Sequence, residues 1–106
     1  MTNEFNVPLD SNGYAPSLLR TYPGVCFECG RFSDTARHEI FHGPYRAKSK
    51  RYGLWVNVCP RCHDFLHRNG DQALKEKAQA EAQRAYGWSV QEFRIVFGKN
   101  FCEVSE

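Results

Sequence analysis

The chain has 106 residues, a net charge of +2 from 14 Lys and Arg against 12 Asp and Glu, five cysteines and four histidines. That length predicts one domain with a thin core, for which a bound metal is a natural staple. No apolar stretch reaches the roughly twenty residues that cross a bilayer, which argues against a membrane role, and Met1, Thr2, Asn3 and Glu4 carry neither the basic nor the apolar region of an export signal. The expectation is a cytoplasmic protein with no membrane partner, its thiols reduced and available to metal.

In chain order, residues 1–24 are rich in Asn, Pro, Gly and Ser, and Pro8, Pro16 and Pro23 oppose a regular element. They read as an N-terminal arm, extended over the domain or partly disordered, which leaves residues 25–106 as a single domain. Within its 26–68 core, Cys26 and Cys29 form a first Cys-x-x-Cys pair. A short strand is predicted over 36–41, a Gly-containing basic loop over 42–53, and a better strand over 54–58, where Trp55, Val56 and Val58 add aromatic and β-branched content. Cys59 and Cys62 form the second pair, and Pro60 opens a helix that sets His63 and His67, at i and i+4, on one face.

Asn69 and Gly70 end that helix. Asp71 is the expected N-cap of the next, over 71–86, where Ala, Leu, Lys, Glu and Gln are good helix formers and Gly87 a stop. Ser89 and Glu92 fit a capping box that opens a last helix over 90–97. Phe93, Val96, Phe97 and Phe101 are expected to pack back on the metal-bearing unit. Phe41, Trp55 and Phe65 read as core, and Cys102 as a buried thiol outside both pairs.

The chemistry is concentrated between Cys26 and His67. Two Cys-x-x-Cys turns supply the four soft ligands of a tetrahedral structural zinc. From Arg31 to Arg68 there are eight Arg and Lys against Asp34, Glu39 and Asp64. Positive charge beside a cation site suits an anionic partner, most commonly a polyphosphate backbone. Arg46, Lys48, Lys50 and Arg51 are the candidate nucleic-acid contacts, or else a solvated surface loop.

The order of cysteine pair, strand with His38 and Glu39, loop, strand, cysteine pair and helix with His63 and His67 resembles the HNH nucleases, also called ββα-metal nucleases, over roughly residues 26–68. The segment from His38 through Pro44, with Arg46, Ser49, Tyr52, Gly53 and Leu54, the Ala- and Gln-rich helix and the ending Phe97 to Phe101, is similar to small HNH-related proteins encoded by bacteriophages. The resemblance implies an α+β fold: a small zinc-stapled ββα-metal domain with additional C-terminal helices. It implies structural zinc at Cys26, Cys29, Cys59 and Cys62, and a catalytic divalent ion (Mg²⁺, Mn²⁺, Ni²⁺ or Zn²⁺) at His38, His63 and His67. It also implies hydrolysis of DNA phosphodiester bonds with Glu39 in the place of the general base. The setting would be the host cytoplasm if the protein is phage-encoded, within a larger phage or host protein assembly.

The chain departs from the family pattern at two places. Glu39 stands where a histidine is usual, with His42 as a spare base if the loop folds back, and Leu54 stands where the family has its middle Asn. Asn57 is close in sequence but lies on the opposite face of the strand. Glu39 could instead pair with Arg37 or Arg46, His63 could brace the cysteine turn, and His67 could be a solvated helix residue. The alternative function is accordingly a catalytically degenerate, zinc-braced module that binds DNA or a host protein, for example as a phage inhibitor of host defence.

Overall fold

The computed structural model describes residues 1–102. Strands β1 (Ala36–Glu39) and β2 (Trp55–Val58) pair antiparallel, with His38 opposite Val56 and Glu39 opposite Trp55. Because side chains alternate across a strand, His38, Val56 and Val58 share the inner face while Arg37, Glu39 and Trp55 share the other. All four β2 residues are buried, those on the outer face included. The reason is the N-terminal arm, which covers that outer face.

Residues 1–24 build no helix or long strand but run in turns along β2 and the hairpin connection. Ala15 N–H donates to the Lys50 carbonyl at 2.9 Å and Leu18 N–H to the Gly53 carbonyl at 2.8 Å. The Trp55 indole donates to the Ala15 carbonyl at 2.8 Å, and Thr21 Oγ1 accepts from Asn57 N–H at 2.7 Å. Phe5 enters a ring cluster with Tyr86, 4.5 Å between centroids, and Trp88, 5.8 Å. The close approach of the arm explains Gly53: its φ is +74°, and a Cβ there would run into the Pro16 carbonyl.

The hairpin connection is more ordered than its composition predicts. Residues 42–53, expected as a loop, contain a 3-10 turn at Gly43–Tyr45 and a helix, α1 (Arg46–Arg51). Ala and the Lys and Arg residues are good helix formers, and α1 is pinned from inside by Ser49, which is fully buried. The Ser49 hydroxyl donates to the Leu54 carbonyl at 2.5 Å and accepts from Phe41 N–H at 3.2 Å, so one side chain ties the two ends of the connection together.

Three helices follow: α2 (Pro60–Asn69), α3 (Gln72–Tyr86) and α4 (Val90–Phe97). Cys59 caps α2 through its sulfur, which accepts from Cys62 N–H, and Pro60 occupies the first turn where its missing N–H costs nothing. On α3, Leu74, Ala78 and Ala82 recur at i+4 and are buried. On α4, Ser89 and Glu92 form the full capping box, and Phe93 and Phe97 face inward. Phe41 from the hairpin meets Phe93, Phe97 and Phe101 at centroid separations of 5.6, 4.7 and 4.9 Å. Buried Gln79 fastens the C-terminal turn by donating to Asn100 Oδ1 and accepting from Phe101 N–H, both at 2.7 Å.

Phe65 corrects the sequence reading. It is 59% exposed rather than core, because α2 buries Leu66 and directs His63 and His67 to a cleft that Phe65 does not line; Phe65 instead borders an open groove beside Cys29, Cys59 and Cys62. The described residues thus form a small α+β domain of four α-helices and a two-stranded sheet. No helix among the described residues is long and apolar enough to cross a membrane.

Candidate functional site

Two groups of metal-ligating side chains assemble around α2. The first is Cys26, Cys29, Cys59 and Cys62, with sulfurs within 4.8 Å of one another. Tetrahedral bonds of about 2.3 Å place sulfurs about 3.8 Å apart. Cys29 and Cys59 Sγ lie 4.0 Å apart, close to that spacing. Each pair is folded as a turn in which the later backbone N–H points at the earlier sulfur, Cys29 N–H to Cys26 and Cys62 N–H to Cys59, both at 3.5 Å.

The electrostatics of this cluster are uneven. Burial opposes charge on Cys26, but the N–H groups of Cys29, Cys59 and Glu28 outweigh it and bring the thiol down to about 6. Cys62 goes the other way, pushed up by burial and by the three sulfurs around it. Four thiolates in this space repel one another unless a dication shares them, which is the donor set of a closed zinc site.

The second group is His38, His63 and His67, whose ligand nitrogens also lie within 4.8 Å of one another. The strand delivers His38 from its inner face and one turn of α2 delivers the other two, with ring centroids 5.2 Å (38 to 63), 5.3 Å (38 to 67) and 4.8 Å (63 to 67) apart. Burial, reinforced by His38 and His67, lowers the pKa of His63 and keeps its lone pair free near neutrality. Burial grades from His38 through His63 to the exposed His67, so an ion held here has a dry side and an open side. Three imidazoles with an open position are the donor set of a catalytic rather than a closed site.

The histidines line an open cleft of about 580 Å³ that also takes in Tyr14, Arg37, Glu39, His42 and Arg46. Glu39, adjacent to His38 but on the outer face of β1, accepts from Tyr14 Oη and from Arg46 Nε, both at 2.7 Å. Burial pushes its pKa up, but these hydrogen bonds and the charges of Arg46 and Lys50 outweigh that and hold it below the usual carboxylate range. The pairing with Arg46 is the one formed. Arg37 goes to Asp10 at 3.1 Å and packs against the rings of both Tyr14 and Trp55.

His42 does fold back. Its centroid is 5.8 Å from that of His67, it is about half exposed, and burial, with help from Lys75, lowers its pKa so that it is neutral near pH 7.

The structure disperses the four basic residues of the connection. Arg46 reaches the cleft, while Lys48 donates to the Val96 carbonyl at 2.9 Å and Lys50 lies over the Tyr14 ring. Arg51 pairs with Glu4 of the arm at 2.5 Å. Leu54, in the place of the family Asn, is fully buried in the core rather than in the cleft, and Asn57 is buried under the arm.

Two residues of the site escape sequence reasoning. Tyr14 belongs to an irregular arm whose composition carries no signal for it. Asp71 has the position of an N-cap, yet its side chain makes no capping bond; instead Oδ2 lies 3.2 Å from His38 Nε2 and Oδ1 lies 3.2 Å from Lys75 Nζ. Burial works against its charge, but the bonds from His38 and Lys75 prevail and keep it ionised. The only hint in sequence is the Asp71 and Lys75 spacing of i and i+4. No family model, curated protein or solved structure matches this chain.

Proposed function

We propose that this chain is an HNH-type, metal-dependent endonuclease that hydrolyses phosphodiester bonds of DNA, in the style of small phage-encoded members of that family. Cys26, Cys29, Cys59 and Cys62 hold a structural zinc and His38, His63 and His67 a catalytic divalent ion. One observation carries the reading: three imidazoles from a strand and a following helix converge in an open, basic-rimmed cleft braced by a four-cysteine site. A divalent ion bound there supplies Lewis-acid stabilisation of the charge that builds on the scissile phosphate and its leaving oxygen.

The chain's own residues then have defined tasks. Arg46, 64% exposed at its side chain, exchanges Glu39 for a phosphate oxygen of the incoming backbone. That exchange frees one Glu39 oxygen and removes a positive neighbour, so the carboxylate becomes more basic as substrate arrives. Glu39 takes a proton from water, the water oxygen bonds to phosphorus as the bond to the 3′ oxygen breaks, and the 3′ oxygen takes a proton from solvent. His42, neutral and outside the ligand trio, is a second base within the same cleft.

A second reading, a degenerate module that binds DNA or a host protein without cutting, has its own support in buried Leu54 and in a Glu39 whose oxygens are both engaged. Cleavage of supercoiled plasmid in Mg²⁺, Mn²⁺ or Ni²⁺ by wild type, Glu39→Ala and His63→Ala decides between them. Cutting by wild type with loss in His63→Ala supports the nuclease, and additional loss in Glu39→Ala assigns the base there rather than to His42. No cutting in any metal, with DNA or protein binding intact, supports the module.

A further inference from the structure

We propose that Asp71 is a positioning residue of the histidine centre: its buried carboxylate holds the proton of His38 on Nε2 and so dedicates Nδ1 to a metal ion, with Lys75 fixing the carboxylate for that task. The inference rests on reading His38, His63 and His67 as a metal centre.

Asp71 stands at the start of α3, distant in sequence from β1, and reaches His38 inside the molecule, where the two side chains are 4% and 1% exposed. An ionised carboxylate can only accept, so at 3.2 Å from Oδ2 the Nε2 atom of His38 must carry the hydrogen. In the neutral ring, the form that can bind a metal, the one lone pair is then on Nδ1. His42 Nε2 is 3.9 Å from the same oxygen, too far to take the bond from His38. Aspartate at a helix start ordinarily caps it, and here the side chain makes no such bond and turns to His38 instead. A carboxylate behind an imidazole fixes the tautomer and raises the basicity of the nitrogen that meets the metal.

Lys75 makes the arrangement testable. Its ammonium lies 3.2 Å from Oδ1 and has donors only. In Asp71→Asn the amide must turn its oxygen to Lys75 and its NH₂ to His38, so Nε2 becomes an acceptor and the proton moves to Nδ1, the atom meant for the metal. Removing the ammonium as well, in Asp71→Asn with Lys75→Met, lets the amide turn over and accept from Nε2–H again. A merely structural Asp71 predicts no such rescue.

The experiment is Ni²⁺ titration by calorimetry into zinc-loaded wild type, Asp71→Asn and the double variant, with ¹⁵N NMR of the His38 tautomer before Ni²⁺ is added. The expected results are Nε2–H in wild type, Nδ1–H with about 10- to 100-fold weaker Ni²⁺ binding in Asp71→Asn, and return of the tautomer and most of the affinity in the double variant. Wild-type affinity in Asp71→Asn overturns the positioning role and leaves the metal centre standing. Failure of wild type to bind Ni²⁺ at the histidines removes the centre and the role together. If Asp71→Asn does not fold, the wild-type spectrum still decides, since Nδ1–H on His38 is incompatible with the proposal.

Discussion

Replacing Leu54 with the asparagine of the HNH pattern is the sharpest test of how this hairpin is built. If position 54 faced the cleft, Leu54→Asn would restore a missing brace. The structure instead buries Leu54 completely within the core cluster of the hairpin and the helices. Losing a fully buried leucine forfeits about 1.5–3 kcal/mol of transfer free energy. Stranding an amide without partners adds about 1–3 kcal/mol. The total, about 2.5–6 kcal/mol, is a large share of the about 5–15 kcal/mol that holds a domain together. The expected result in urea is a midpoint collapse with the wild-type slope, and no gain in plasmid cleavage. A variant as stable as wild type that cuts faster would refute the placement of Leu54 in the core and the assignment of the hairpin brace to Ser49.

Ser49→Ala removes the hydroxyl that joins the Leu54 carbonyl to Phe41 N–H and leaves a buried donor without its partner. A loss of about 1–3 kcal/mol in chemical denaturation is expected, and a neutral result would remove Ser49 from that role. Because the folded-state pKa of Glu39 lies below its ordinary value, its charge contributes stability that is present above the unfolded pKa and fades as pH falls through the lowered one. Tyr14→Phe removes one of the two bonds responsible, so an NMR titration of Glu39 is expected to move upward by a measurable step; an unchanged midpoint would mean the Tyr14 bond does not form in solution. Chelation of the four-cysteine site should be drastic, because structural zinc of this donor type contributes about 10 kcal/mol or more. Loss of amide protection from Cys26 to Arg31 and a lower thermal midpoint are expected, and an unchanged midpoint after complete metal removal would sink the structural role.

The parts of this protein legible in its sequence are those whose geometry is local. A Cys-x-x-Cys turn aims two thiols at one point wherever it occurs, and His63 and His67 share a face by virtue of helical spacing alone, so the cysteine cluster and two of the three clustered histidines could be read from residue intervals. His38, by contrast, is suggested only by the family resemblance and is brought to them by β1. The same holds for α4, announced by Ser89 and Glu92, and for the stop of α3 at Gly87. Tertiary structure decided what depends on pairs far apart in the chain. It brought Tyr14 to Glu39, turned Asp71 from a helix cap into the partner of His38, wrapped the arm over Trp55, and drew Lys48 and Arg51 toward α4 and Glu4. These contacts follow no period, because a buried carboxylate takes whichever donor the packed chain presents, and an exposed lysine or arginine turns to the nearest acceptor. Candidate metal-binding residues are therefore partly marked by spacing, while the side chains that surround them are settled only when the core closes.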